Sequence, residues 1–475
     1  MLDPAAWCRT LRRHAAAGRY DAAVHAPFAA PLALPCGVEI ANRFAKAAMT
    51  EGLADQHDDA TPALGRLYCR WSDGGAGLLI AGNAMVDRRF LERSGNVVLD
   101  GATDPAATRA WAAAATRAGN QAWLQLNHPG RQCTRFHTRE PLAPSAVPVG
   151  VAGFFARPRA LAVDEIEELV GAFARAAAAA REASFTGLQV HAAHGYLVSQ
   201  FLSPRTNLRR DAWGGSLAGR ARFLLAIVDA VRQTVGPAFP LSVKLNTSDF
   251  QRGGFDGADA VAVARLLERA GVDLLELSGG TYERIAFIGH DGRAAATRAR
   301  EAYFLDAARA VRAAAPRLPL MVTGGFRTPA AMARALAAGE TDLLGIARPF
   351  CVEPDFPRRL LDGGRDALPS PEHRLRLAPG RWGPDAPAAT WRALNAQAAT
   401  AWFYEQIVRL GNGEEPRTRP GAGAAALARH VVREARRAIG RRRATEARRD
   451  RAAGTPIAEA RADDEPTSPA ARTGP

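Results

Sequence analysis

The stretch His191-Ala-Ala-His194-Gly-Tyr196 places two imidazoles and a phenol at i, i+3 and i+5, directly after the apolar run Gly187-Leu188-Gln189-Val190. Two imidazole N–H groups can hold a carbonyl or nitro oxygen and polarise it, while a nearby phenol can supply a proton. A zinc site is the weaker reading, because no third ligand stands out elsewhere and tyrosine is a poor substitute. Histidines that serve only as hydrogen-bonded structural groups are the other alternative. A lone His would suit that reading better than this trio does.

Other candidates close other apolar runs. Lys244 sits in Leu241–Asp249, where a buried lysine would be costly without a negative partner, either a carboxylate or an electron-rich cofactor ring. The segments Thr323-Gly324-Gly325-Phe326-Arg327 and Gly345-Ile346-Ala347-Arg348 combine glycines, which let backbone N–H groups approach a phosphate, with an arginine to pair with it. Gln125, followed by His128 and Arg131, and Thr50 after Met49 can exchange hydrogen bonds with a ring bearing alternating N–H and C=O groups. Together they describe a flat, polar-edged, phosphorylated cofactor. Flavin mononucleotide (FMN) fits better than a nicotinamide or pyridoxal phosphate. Lys46 and Lys244, the inner-strand lysines, leave a Schiff base open.

Side chains so far apart in sequence need a scaffold that gathers them. Eight short apolar runs, each followed by an Ala-rich helical pattern, span 42–49, 77–86, 122–127, 187–194, 241–249, 274–280, 319–326 and 343–350. Continuous apolar strands alternating with helices predict a parallel sheet covered on both faces, and eight units predict closure into an α/β TIM (β/α)8 barrel. An open doubly wound sheet is the rival, but no G-x-G-x-x-G follows an early strand. Asp164 is the expected N-cap of one helix with Glu167 at N3, and Gly271 and Gly339 are expected to end helices. Active-site insertions follow strands 3 and 4, at 129–163 and 195–218.

The expected organisation is an N-terminal extension over 1–30, an FMN-binding barrel over 31–369, a helical extension over 370–411 packed on the barrel's outside, and a tail over 412–475. The tail is rich in Arg and Ala and reads as mostly disordered, or as a solvated, partly helical extension. It carries half of the net charge of +14, since residues 429–451 hold ten arginines against Glu434, Glu446 and Asp450. That concentration argues against a nucleic-acid partner for the protein as a whole. Five scattered cysteines without a C-x-x-C suggest neither disulfides nor a metal cluster. The first 30 residues lack a continuous apolar core and no long uncharged apolar run follows, so neither a secretory signal nor a membrane span is expected, and the reading is cytoplasmic. Oligomeric state, including a homo-oligomer, stays open.

The motif His191-Ala-Ala-His194-Gly-Tyr196-Leu, with Gln200-Phe-Leu-Ser-Pro204, Asn207, Arg209, Asp211, Trp213-Gly-Gly-Ser216 and Arg220, resembles the Old Yellow Enzyme family of NADH:flavin oxidoreductases. Asn42-Arg43, Ala47-Ala48-Met49-Thr50, Gly74 to Leu78, Gln125 to Arg131, Pro144-Ser145 and Val322 to Phe326 follow in the family's order, over roughly residues 30 to 365. The resemblance implies a TIM barrel that holds FMN. Ala47, Ala48 and Thr50 would line the flavin, with Thr50 at its O4 edge. Gln125 would meet the pyrimidine edge, Lys244 the N1/O2 region, and Gly324, Gly325, Ala347 and Arg348 the phosphate. His191 and His194 would bind the substrate's activating oxygen and Tyr196 would protonate the adjacent carbon.

The implied reaction is ping-pong, with hydride passing from NADH or NADPH to FMN and then to an activated alkene such as an enone or nitroalkene. Three positions depart from the family pattern, Ala48 for a proline, Lys244 for an arginine and Ala347 for a glycine, and none removes a functional group. A flavin-binding carrier or sensor, and an RNA-acting flavin reductase gripping its substrate with the basic tail, are the alternatives.

Overall fold

The computed structural model describes residues 27–150, 155–280, 304–364, 366–377, 382–384, 386, 388–419 and 423–454. Most of the N-terminal extension, the loop around Tyr282 to Phe287 and the end of the tail lie outside them. The eight expected strands form one closed, all-parallel barrel in chain order: β1 (Phe44–Lys46), β2 (Leu78–Met85), β3 (Gln121–Asn127), β4 (Gly187–Ala192), β5 (Leu241–Asn246), β6 (Leu274–Ser278), β7 (Leu320–Thr323) and β8 (Leu343–Ile346), with β8 pairing β1. Among the described residues, the helices between them are α1 (Pro62–Ser72), α2 (Pro105–Ala115), α3 (Val163–Glu182), the short α4 (Leu197–Leu202), α5 (Leu217–Val235), α6 (Gly257–Arg269), α7 (Leu305–Ala314) and α8 (Pro329–Ala337).

Strand alternation sorts the side chains. In β1 and just beyond it, Ala45 and Ala47 face the barrel interior with Leu78, Ile80, Trp123, Leu274, Met321 and Leu343, while Phe44 joins the larger core between strands and helices. Lys46 shares that outward side, which corrects its reading as an inner-strand lysine. Its ammonium donates to the Ile80 carbonyl at 2.9 Å, lies 3.6 Å from the Glu51 carboxylate and sits 4.4 Å from the Trp71 ring of α1.

Helix starts follow local chemistry. Thr61, Asp104, Asp256 and Thr328 each accept backbone N–H groups at the heads of α1, α2, α6 and α8. In α3 the expected cap is displaced by two residues. Ala162 is the N-cap, and Glu165 rather than Glu167 turns back to accept the Ala162 N–H at 2.9 Å while pairing with Arg159 at 2.6 Å. That ion pair fixes the earlier start. Gly271 and Gly339 do end helices, with φ of 73° and 65°.

Two further helices follow the barrel and a short α9 (Phe356–Leu361): α10 (Ala389–Gly411) and α11 (Gly423–Gly454). Rather than packing only on the barrel's outside, α10 brings Ala399, Thr400, Phe403, Tyr404 and Ile407 to the wall of the cavity at the barrel mouth. For residues 423–454 the helical reading of the tail holds, not the disordered one. Tertiary contacts hold α11: Arg441 pairs with Asp58 at 2.7 Å, Glu434 pairs with Arg93 at 2.5 Å, and the His430 ring stacks on Tyr404 with centroids 5.3 Å apart. Among the described residues, no helix is long and apolar enough to cross a membrane.

Candidate functional site

Strand registers bring the polar residues into layers. Gln125 of β3 lies beside Gln189 of β4, which lies beside Ser242 of β5; one layer nearer the mouth, His191 lies beside Lys244 and Lys244 beside Glu276 of β6. The side chains bond accordingly. Gln125 donates an amide N–H to Gln189 Oε1 at 2.7 Å, and the Gln189 amide donates to Glu276 Oε2 at 2.9 Å and to Ser242 at 3.1 Å. Lys244 Nζ sits 2.8 Å from Glu276 Oε1, so the negative partner demanded by a buried lysine is a carboxylate of this chain. Lys244 still reaches the cavity wall.

At the end of β4 the backbone turns sharply. His194 takes a left-handed conformation, φ 61°, uncommon for a residue with a side chain, and its N–H donates to Asn246 Oδ1 at 3.1 Å. The turn sets the His191 and His194 rings 5.1 Å apart and the His191 and Tyr196 rings 4.8 Å apart, and all three line the cavity. His191 Nδ1 accepts the Ala193 N–H at 3.2 Å. Burial, reinforced by His194 and Lys244, pushes the His191 pKa well below the usual histidine value, so the ring is neutral and its proton resides on Nε2. His194 Nε2 lies 2.9 Å from the Ser278 hydroxyl, and burial lowers its pKa likewise.

These shifts fix an acid sensitivity. Burial also drops His128 to about 4. A folded-state pKa below the unfolded value means that the unfolded chain binds more protons, so the stability is complete above about pH 6.5 and is lost as pH falls toward the folded values. The urea midpoint should therefore fall from pH 7.5 to pH 5, each such ring costing about 1.4 kcal/mol per pH unit below 6.5. A midpoint that stays level over that range would contradict neutral buried imidazoles.

On the opposite rim, β7 and β8 end in Thr323-Gly324-Gly325 and Ala347-Arg348, all at the cavity wall. Gly325 has φ 93°, a turn that favours glycine, and Thr323 Oγ1 is buried with no hydrogen-bond partner. Arg327 and Arg348 converge on the Glu372 carboxylate at 2.6 and 3.4 Å. Burial alone would raise that carboxyl, but the two arginines outweigh it and hold it below the usual carboxylate range.

The first rim carries Ala48, Met49 and Thr50. Gly82 of β2 lets it approach, since a Cβ there would lie 1.5 Å from the Met49 carbonyl oxygen. Of the sequence-derived residues, Ala48, Thr50, Gln125, His191, His194, Tyr196, Lys244, Gly324, Gly325, Ala347 and Arg348 line one cavity. Ala47 does not; its side chain packs in the interior cluster of the barrel. Sequence reasoning missed Asn83, Glu92, Ser278, Glu372, Phe403 and Tyr404 of the same wall.

The chain is similar to known proteins over its barrel. Residues 28–366 match the model of the NADH:flavin oxidoreductase / NADH oxidase family. The chain is 37% identical over 353 residues to NADH-dependent flavin oxidoreductase iliE of Hypocrea jecorina (strain QM6a), covering 70% of this chain and 88% of that one. It is 37% identical over 411 residues to NADH-dependent flavin oxidoreductase iccE of Talaromyces variabilis, covering 80% and 97%. Morphinone reductase, a solved structure, superposes with a TM-score of 0.61 at 26% identity, covering 72% of this chain and 91% of the other. The chain belongs to the NADH:flavin oxidoreductase / NADH oxidase family, with the Old Yellow Enzyme fold, FMN as cofactor and a reduced nicotinamide as hydride donor.

Proposed function

We propose that the protein reduces activated carbon–carbon double bonds, as in enones and nitroalkenes, at the mouth of its barrel. The observation that carries this reading is the His191 ring, whose Nδ1 accepts the Ala193 N–H and so leaves Nε2 as the donor, gathered with His194 and Tyr196 on one cavity wall. The two imidazoles hold the substrate's activating oxygen as hydrogen-bond donors, and Tyr196 holds a proton for the carbon beside the activating group. A carrier or sensor has no use for such an acid.

The remaining residues fit FMN. Gly324, Gly325, the unpartnered Thr323 hydroxyl, Ala347 and Arg348 form a phosphate cradle, with Glu372 orienting Arg348 and Arg327. Gln125 faces the pyrimidine edge with an amide already anchored by Gln189, and Lys244 meets the N1/O2 side. Ala48 and Thr50 line the ring, whereas Ala47 supports it from below. FMN, when bound, supplies the storage of hydride between the two half-reactions. The basic extension gives no support to an RNA-acting reading: Arg429, Arg441 and Arg442 of α11 each pair with a carboxylate of this chain.

Two measurements test these assignments. Arg348→Ala should weaken FMN binding by about 10- to 100-fold, the cost of about 1.5–3 kcal/mol for hydrogen bonds to a charged group; an unchanged dissociation constant would remove Arg348 from the phosphate site. Reduction of an enone by NADH in D2O should give a saturated product with deuterium on the α-carbon, the proton having come from the exchangeable Tyr196 hydroxyl. No saturated product under argon, or a product without deuterium on the α-carbon, would overturn the reading.

A further inference from the structure

Thr50 is bracketed by two acceptors. Its Oγ1 lies 2.9 Å from Glu92 Oε2 and 3.3 Å from Asn83 Oδ1. The Asn83 amide orientation is set by its neighbours, since Asn96 donates to Asn83 Oδ1 at 3.1 Å and Asn83 Nδ2 donates to Glu92 Oε2 at 3.0 Å. A hydroxyl has one proton, and the Glu92 carboxylate, which can only accept, holds it at the cavity wall. Glu92 is itself 7% exposed and lines the cavity beside Thr50. Arg93, next along the chain, pairs with Glu434 and lies 3.8 Å from the Tyr404 ring centroid.

We propose that Glu92 sets the reduction potential of the FMN bound in this cavity: its carboxylate accepts the hydroxyl hydrogen bond of Thr50 and places a negative charge on the cavity wall beside it. Thr50 then presents lone pairs, not a donor, to that edge. Both features disfavour the electron density that a flavin gains on reduction. On the other side, the Lys244 ammonium would favour it, but Glu276 at 2.8 Å offsets that charge. The Arg93 guanidinium also acts on Glu92 but is shared with Glu434, so the balance is a flavin of lowered potential and a stronger hydride donor. The inference rests on the proposed placement of Thr50 at the flavin edge.

The test is anaerobic equilibration of FMN-loaded protein with a reference dye. Glu92→Gln keeps the shape and removes the charge, and should shift the reduced-to-oxidised ratio tenfold or more toward reduced flavin, which is about 30 mV for a two-electron couple. A smaller shift overturns the proposal. Thr50→Val supplies an independent sign: the ratio should hold or move toward reduced flavin. A move toward oxidised flavin, as expected from loss of a donor to O4, overturns the proposal even if Glu92→Gln yields no folded protein. Failure of the parent to retain flavin would instead defeat the cofactor assignment, and its spectrum reports that separately.

Discussion

Tyr196→Phe should slow the reduction of an enone by about 10²- to 10⁴-fold, the usual contribution of a positioned general acid. The phenol's ring lies 4.8 Å from that of His191 and the residue is 5% exposed, so the variant removes one oxygen from an otherwise packed wall. Bleaching of the flavin by NADH should change little, because that half-reaction asks nothing of the phenol. The two half-reactions are separable by stopped-flow absorbance under argon. An undiminished rate of flavin reoxidation by the enone, in a regime where that step limits turnover, would remove Tyr196 from the acid role and leave its position as packing.

Glu276→Gln should destabilise the apo-protein by about 3–5 kcal/mol, the cost of leaving a buried charge without its partner. Both members are deeply buried, with side-chain exposures of 4% for Lys244 and 0% for Glu276, so little solvent screening is available. The amide would keep a contact with Gln189 but could not balance the ammonium. Added FMN should recover part of the lost stability, because Lys244 would then find the electron-rich side of the ring. Urea unfolding with and without FMN checks both statements. A midpoint equal to that of the parent would mean that the lysine needs no counter-charge at this depth, and equal losses with and without FMN would place the ring out of its reach.

Much of the architecture was legible because β-strands buried on both faces write continuous apolar runs, and all eight runs became barrel strands. The same rule hid Glu276, which reads as part of Leu274 to Ser278 until alternation turns it inward beside Lys244. Lys46 shows the converse: a lysine on a strand is inner or outer by parity alone, and its parity faces α1. Asn83 and Glu92 carried no local signal. Asn83 lies where β2 slips register against β3 between Ala81 and Ala84, and Glu92 lies in the loop beyond. That the extension also reaches the cavity was hidden for a related reason. Trp402, Phe403, Ile407 and Leu410 mark α10 as amphipathic, but which surface receives such a helix depends on contacts distant in sequence. For α11, composition suggested disorder, while Asp58, Arg93 and Tyr404, more than 20 residues away in the chain, supply its anchors. The proposed catalytic trio, by contrast, lies within six residues at the end of β4, and needed only a strand to end there.

The most direct test of the central claim is the colour of the FMN-loaded protein under argon through one cycle. NADH should bleach the flavin absorbance, and one equivalent of an enone or nitroalkene should restore it with formation of one equivalent of saturated product. A flavin that stays bleached with every such alkene, yet recovers its colour on admission of oxygen, would contradict alkene reduction at this site.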